Sequence, residues 1–98
     1  MIDIKPGQFS LEAAIALATR FSADIGAEVD EAAARAAYTA FTGKEKRFEY
    51  AAAGYRLVVL QCGKHQIEVI CAGAPDPAND NKLRRKIAND LIAYFRNA

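Results

Sequence analysis

Between Arg47 and Gly73, apolar β-formers recur in three short runs separated by glycine-containing turns, the pattern of an antiparallel meander. Tyr55–Gln61 and Gln66–Ala72 are rich in Val, Ile, Leu and Tyr, and Gly63-Lys64 between them predicts a two-residue hairpin with glycine at a positive-φ position. That turn sets Cys62 opposite His65, Leu60 opposite Ile67, Val58 opposite Val69 and Arg56 opposite Cys71. Cross-strand partners share a face. The other face then carries Tyr55, Leu57, Val59 and Gln61 with Gln66, Glu68, Ile70 and Ala72.

Ala51-Ala52-Ala53-Gly54 admits two registers for the first hairpin, and they place Phe48 and Tyr50 on one face or the other. A three-residue loop with Gly54 left-handed puts Phe48 with Val58, Leu60, Ile67 and Val69, and leaves Arg47 and Glu49 on the other side beside Gln66 and Glu68. The expected outer face is therefore half apolar, with Tyr55, Leu57, Val59 and Ile70 between Glu49, Gln61, Gln66 and Glu68. Contiguous exposed apolar area marks contact with a partner. The competing expectation is a three-layer domain in which an N-terminal helix covers that face.

Before the meander the period changes to helical. Ile2 and Ile4 alternate ahead of Lys5-Pro6-Gly7, as in a short edge strand or a packed tail. Ser10 is the expected N-cap of a first helix, with Glu12 in the first turn, an apolar stripe of Leu11, Ile15, Ala18, Phe21 and Ile25, and Gly26 as the stop. Asp30 caps a second helix, with Val29 placed to staple onto Ala34. Alanine dominates this helix, Tyr38 and Phe41 supply its bulk, and Gly43 ends it; such small side chains permit close packing on the first helix or the sheet. After the meander, Ala74 to Asn81 reads as a proline-broken linker, and Lys82 to Phe95 as a helix with Leu83, Ile87, Leu91, Tyr94 and Phe95 on its apolar side. The fold class that follows is α+β, a two-layer domain in the order α-α-β-β-β-α, with a three-stranded antiparallel meander packed on helices.

Length and composition narrow the function. At 98 residues and 52% hydrophobic content, residues 1–98 form a single compact domain. A net charge of +1 gives no whole-molecule attraction to nucleic acid or acidic membranes, so any such binding needs a local patch. No apolar run spans a bilayer and no signal-peptide pattern opens the chain, so a cytoplasmic location and no membrane contact are expected. Cys62 and Cys71, about 20 Å apart along paired strands, are not expected to form a disulfide.

One feature of the last helix stands out chemically. Lys82, Arg84, Arg85 and Lys86 crowd its expected first turn, where the helix dipole disfavours cations, and with Arg96 they form a candidate anion or nucleic-acid site. A solvated basic face balanced by Asp76, Asp80 and Glu68 accounts for the same residues. The order of three antiparallel strands and a helix with a basic start is similar, over Arg47 to Phe95, to that of double-stranded RNA-binding domains. Pro75 to Asn81 replaces their glycine-rich, lysine-paired approach to the helix, and two N-terminal helices stand where one is expected; the chain is not assigned to them.

Cys62 and His65 flank a turn, but with one histidine and a distant second cysteine they make neither a metal site nor an oriented thiolate. The thiol is read as a small packed hydrophobe. The carboxylates serve as caps and surface charges, and no catalytic residue, cofactor or metal is expected. Tyr38 and Tyr94 lie on apolar helical stripes, whereas Tyr55 beside Arg56 is the tyrosine expected at a surface. The reading is a small non-enzymatic protein-binding module of the adaptor, chaperone or inhibitor kind. That size class includes mobile-element proteins such as anti-CRISPRs. It is expected to act on another protein or as a homodimer through Tyr55, Leu57, Val59 and Ile70. The alternative is nucleic-acid binding through Lys82, Arg84, Arg85, Lys86 and Arg96.

Overall fold

The computed structural model describes residues 2–5, 7–72 and 77–97; the side chains at 2, 77–81, 83, 84, 95 and 97 lie outside the description. The elements are β1 (Ile2–Asp3), α1 (Leu11–Asp24), α2 (Glu31–Thr42), β2 (Arg47–Ala52), β3 (Tyr55–Gly63), β4 (Gln66–Ala72) and α3 (Pro77–Asn97). The α-α-β-β-β-α order is the expected one, and the meander gains a two-residue edge strand, giving the sheet order β1-β4-β3-β2. β1 is held by Ile2 opposite Ile67 and Asp3 opposite Gln66, and the Ile4 N–H donates to the His65 carbonyl at 2.8 Å.

Local chemistry starts both N-terminal helices where expected. The Ser10 hydroxyl accepts the Ala13 N–H and the Asp30 carboxylate accepts the Ala33 N–H, each satisfying a donor that the first turn leaves open. Ile25 and Gly26, the latter at φ +71°, close α1. Val29, placed to staple onto the buried Ala34, stays 41% exposed. In α1 the buried face is Ala13, Ala14, Leu17, Ala18, Phe21 and Ser22, rotated from the expected stripe, so that Leu11 and Ile15 are only half-buried. Alanine is the reason: its small side chain lets α1 approach its neighbours closely along the alanine side.

All three helices lie on one face of the sheet. α2 packs on β2 and α1, and α3 packs on β4 and α1. The core between the layers joins Phe48, Tyr50, Leu57, Val59, Ile67, Val69 and Cys71 of the strands to Leu17, Phe21, Phe41, Ile87 and Leu91 of the helices. Phe9, just before the Ser10 cap, is buried at the centre of an aromatic cluster, with its ring edge-on to Phe41 (4.8 Å), Phe48 (5.7 Å) and Tyr38 (6.1 Å). α3 is clamped antiparallel to α1 by Arg20–Asp90 at 3.4 Å and Lys86–Asp24 at 3.0 Å.

Both hairpin registers differ from expectation. The β3–β4 turn is Lys64-His65, closed by Gly63 opposite Gln66, with an irregularity between Gln61 and Gly63 that leaves Cys62 as the extra residue. Gly63 does not adopt a positive φ. Val59 therefore faces Val69, Leu57 faces Cys71 and Val58 faces Ile70, one residue from the expected pairing. Strand side chains alternate, so this slip exchanges the two faces of β3. The β2–β3 turn is a two-residue turn, Ala53-Gly54, with φ of +53° and +83°, and Phe48 pairs with Val59.

Positive φ at both turn residues suits Asn-Gly, while alanine at the first position is sterically strained. Ala53→Asn should raise stability by about 1 kcal/mol, read as a rise in the thermal midpoint. An unchanged or lower midpoint would mean that this turn geometry is not what limits the hairpin.

Candidate functional site: the open face of the sheet

With α1, α2 and α3 on one side, none of the described elements covers the other side of the sheet. Its residues come from alternate positions of three strands and form three rows across β2, β3 and β4. These are Arg47, Leu60 and Glu68, then Glu49, Val58 and Ile70, then Ala51, Arg56 and Ala72. Cys62 continues the central column, with its Sγ 3.9 Å from Glu68 Oε2.

Val58 sits at the centre and is only 3% exposed although no helix covers it. Its neighbours close over it. The Glu49 carboxylate takes Arg47 Nε at 3.1 Å on one oxygen and Arg56 Nη1 at 3.3 Å on the other, so two guanidinium groups are drawn in around the valine. Each exposed pair contributes well under about 1 kcal/mol; their effect is to order the surface. Leu60 and Ile70 remain half-buried and form the accessible apolar part. Glu68 has no basic group within 4 Å among the described residues. The face is thus neutral in sum but divided, with an excess cation on the β2 side and an unpaired anion on β4.

Strand and residue spacings give this face an area of about 300 Å². That is below the roughly 800 Å² per partner of a standard stable interface, so a contact confined to it is weak or extends past its rim.

Of the residues expected on this surface, Ile70 is on it. Leu57 and Val59 are wholly buried in the core, and Tyr55 is half-buried against the core on the helix side. Val58, Leu60 and Arg56 take their places, a direct result of the one-residue slip. Tyr38 and Tyr94 pack half-buried against the core, as their stripes imply.

The basic cluster also moves. α3 begins at Pro77, a residue suited to the first helical position, so Lys82, Arg84, Arg85 and Lys86 lie beyond the first turn, where the dipole has faded. They build no anion cradle at a helix start. Lys82, Arg85, Lys86 and Arg96 are exposed, Lys86 is engaged by Asp24, and the Arg84 side chain lies outside the described residues, as do those of Leu83 and Phe95. The expected linker at 74–81 is described only from Pro77 onward, where it is already helix.

Cys62 is exposed on the open face and Cys71 is buried in the core, so the sheet separates them. Among the described residues no cluster of His, Cys, Asp and Glu has metal-binding geometry, and no helix is long and apolar enough to cross a membrane. A groove of ≈ 230 Å³ between α1 and α3 is lined by Ala13, Ala16, Leu17, Arg20, Asp90 and Tyr94 among others. It is smaller than the roughly 300 Å³ at which small-molecule sites begin. No protein-family model, no curated protein and no solved structure matches this chain.

Proposed function

We propose that this chain is a small non-enzymatic protein-binding module, of the adaptor, chaperone or inhibitor kind, acting through the open face around Val58, Leu60 and Ile70. One observation carries the reading: three helices cover one side of the sheet, while no described element covers the other, which has an apolar centre among ordered charges. Leu60 and Ile70 supply the apolar contact; Arg47, Arg56 and Glu68 at the rim supply orientation and selectivity.

The test compares the wild-type chain with a Leu60→Lys/Ile70→Lys variant, both verified as folded by circular dichroism, as baits in their source lysate. Proteins retained by the wild type and lost by the variant support the reading. Identical capture by both baits would remove the open face from consideration.

Nucleic-acid binding through Lys82, Arg84, Arg85, Lys86 and Arg96 is the second reading. It is favoured by Lys82, Arg85 and Arg96 being exposed with no carboxylate within 4 Å among the described residues. It predicts capture that is abolished by nuclease and an affinity that falls steeply with salt, as counterion release requires. Salt-insensitive binding would exclude it.

A further inference from the structure

The division of charge across the open face is self-complementary in one orientation. Consider two copies stacked face to face about a two-fold axis running along β3. β2 of each copy then lies over β4 of the other, row on row. Arg47, which shares its own Glu49 with Arg56, meets the other copy's Glu68, which has no basic partner of its own among the described residues, and Glu68 meets the other copy's Arg47. Leu60 and Val58 meet their own equivalents on the axis, and Ile70 packs over the stem of Glu49. Arg56 also meets its equivalent, but each guanidinium is already held by its own Glu49 at 3.3 Å. An axis across the strands sets Glu49 on Glu49 and Arg56 on Leu60 and forms no opposite-charge pair. Charge therefore selects between the two orientations.

From this we infer that the open face closes on a second copy of this chain, with β3 stacked along β3 and two reciprocal Arg47–Glu68 pairs. The inference rests on the open face being the binding surface and names its partner. At about 300 Å² per copy from the strand spacing, the contact belongs to the weak, concentration-dependent class. It is isologous, so each residue change acts twice.

Sedimentation equilibrium over a concentration series tests it. The wild-type mass should rise from 10.6 kDa towards twice that value. Arg47→Glu and Glu68→Arg should each weaken dimerisation about tenfold or more, since each sets like charges together at two places. An equimolar mixture of the two variants should restore it. One chain then carries glutamate at both positions and the other arginine at both, so opposite charges meet at both contacts of the mixed dimer. Recovery on mixing also shows that both variants are folded.

Cys62 gives an independent reading of the axis. It is the exposed thiol, lies in the β3 column, and so meets its equivalent across the interface. A short bis-maleimide should link wild-type chains through Cys62, and should fail on either variant alone. A mass fixed at 10.6 kDa at every concentration, or dimers indifferent to both reversals, overturns the inference. In that event the capture experiment with Leu60 and Ile70 still decides whether the face binds a different protein.

Discussion

Leu57→Asp should unfold this protein, whereas Leu60→Asp three residues along the same strand should leave it folded. Leu57 is fully buried between the sheet and the helices. Placing a carboxylate there removes about 2–3 kcal/mol of apolar burial and adds the larger cost of an unpaired charge out of water. The sum is comparable with the roughly 5–15 kcal/mol that holds a domain of this size together. Leu60 faces the bare side, where a carboxylate can reach water beside Arg47, and the expected loss is about 1 kcal/mol or less. Urea unfolding of the two variants measures the difference directly. The reverse order, with Leu60→Asp unfolding the protein and Leu57→Asp tolerated, would mean that the faces of β3 are assigned the wrong way round.

Tyr50→Phe should cost about 1–3 kcal/mol although it deletes one oxygen. Tyr50 is 1% exposed, and its hydroxyl accepts the Asp30 N–H at 2.8 Å while sharing a hydrogen bond with the buried Ser22 hydroxyl at 3.1 Å. Its ring stands edge-on to Phe21. One phenol thus ties β2 to the end of α1 and to the cap of α2. Phenylalanine keeps the packing but leaves the Ser22 hydroxyl and the Asp30 N–H short of a partner. The thermal midpoint should fall by roughly 4–8 °C per kcal/mol for a domain of this length. Ser22→Ala in the Tyr50→Phe background should add less than it does in the wild type, because the two hydroxyls share one bond. Full additivity would show that Tyr50 and Ser22 act independently.

Much of the architecture was legible locally. Ser10 and Asp30 cap the helices they were expected to cap, because a short polar side chain before an apolar-periodic run has one strong local use. Phe9 was missed because it lies outside any periodic run; its burial comes from contacts with Phe41 and Phe48, far away in the chain. Arg56 carried an overlooked signal. Putting Leu57 and Val59 on the outside required Arg56 to point into the core opposite Cys71, at a desolvation cost no neighbour offsets. Reading Arg56 as solvent-facing would have placed Val58 and Leu60 beside it on the open face.

Sequence alone therefore determined the two N-terminal helices with their caps, the three strands of the meander, the order of the elements and the α+β class, since each depends on a few neighbouring residues. Tertiary structure decided which side of the meander is core. From Leu57 to Leu60 every residue of β3 is apolar, so either face would serve as an interior. In a strand of period two, the single extra residue at Cys62 is enough to exchange them. The choice was made by the helix layer: Phe21, Phe41, Ile87 and Leu91 bury one set of strand side chains, and the opposite set is left to form the open face.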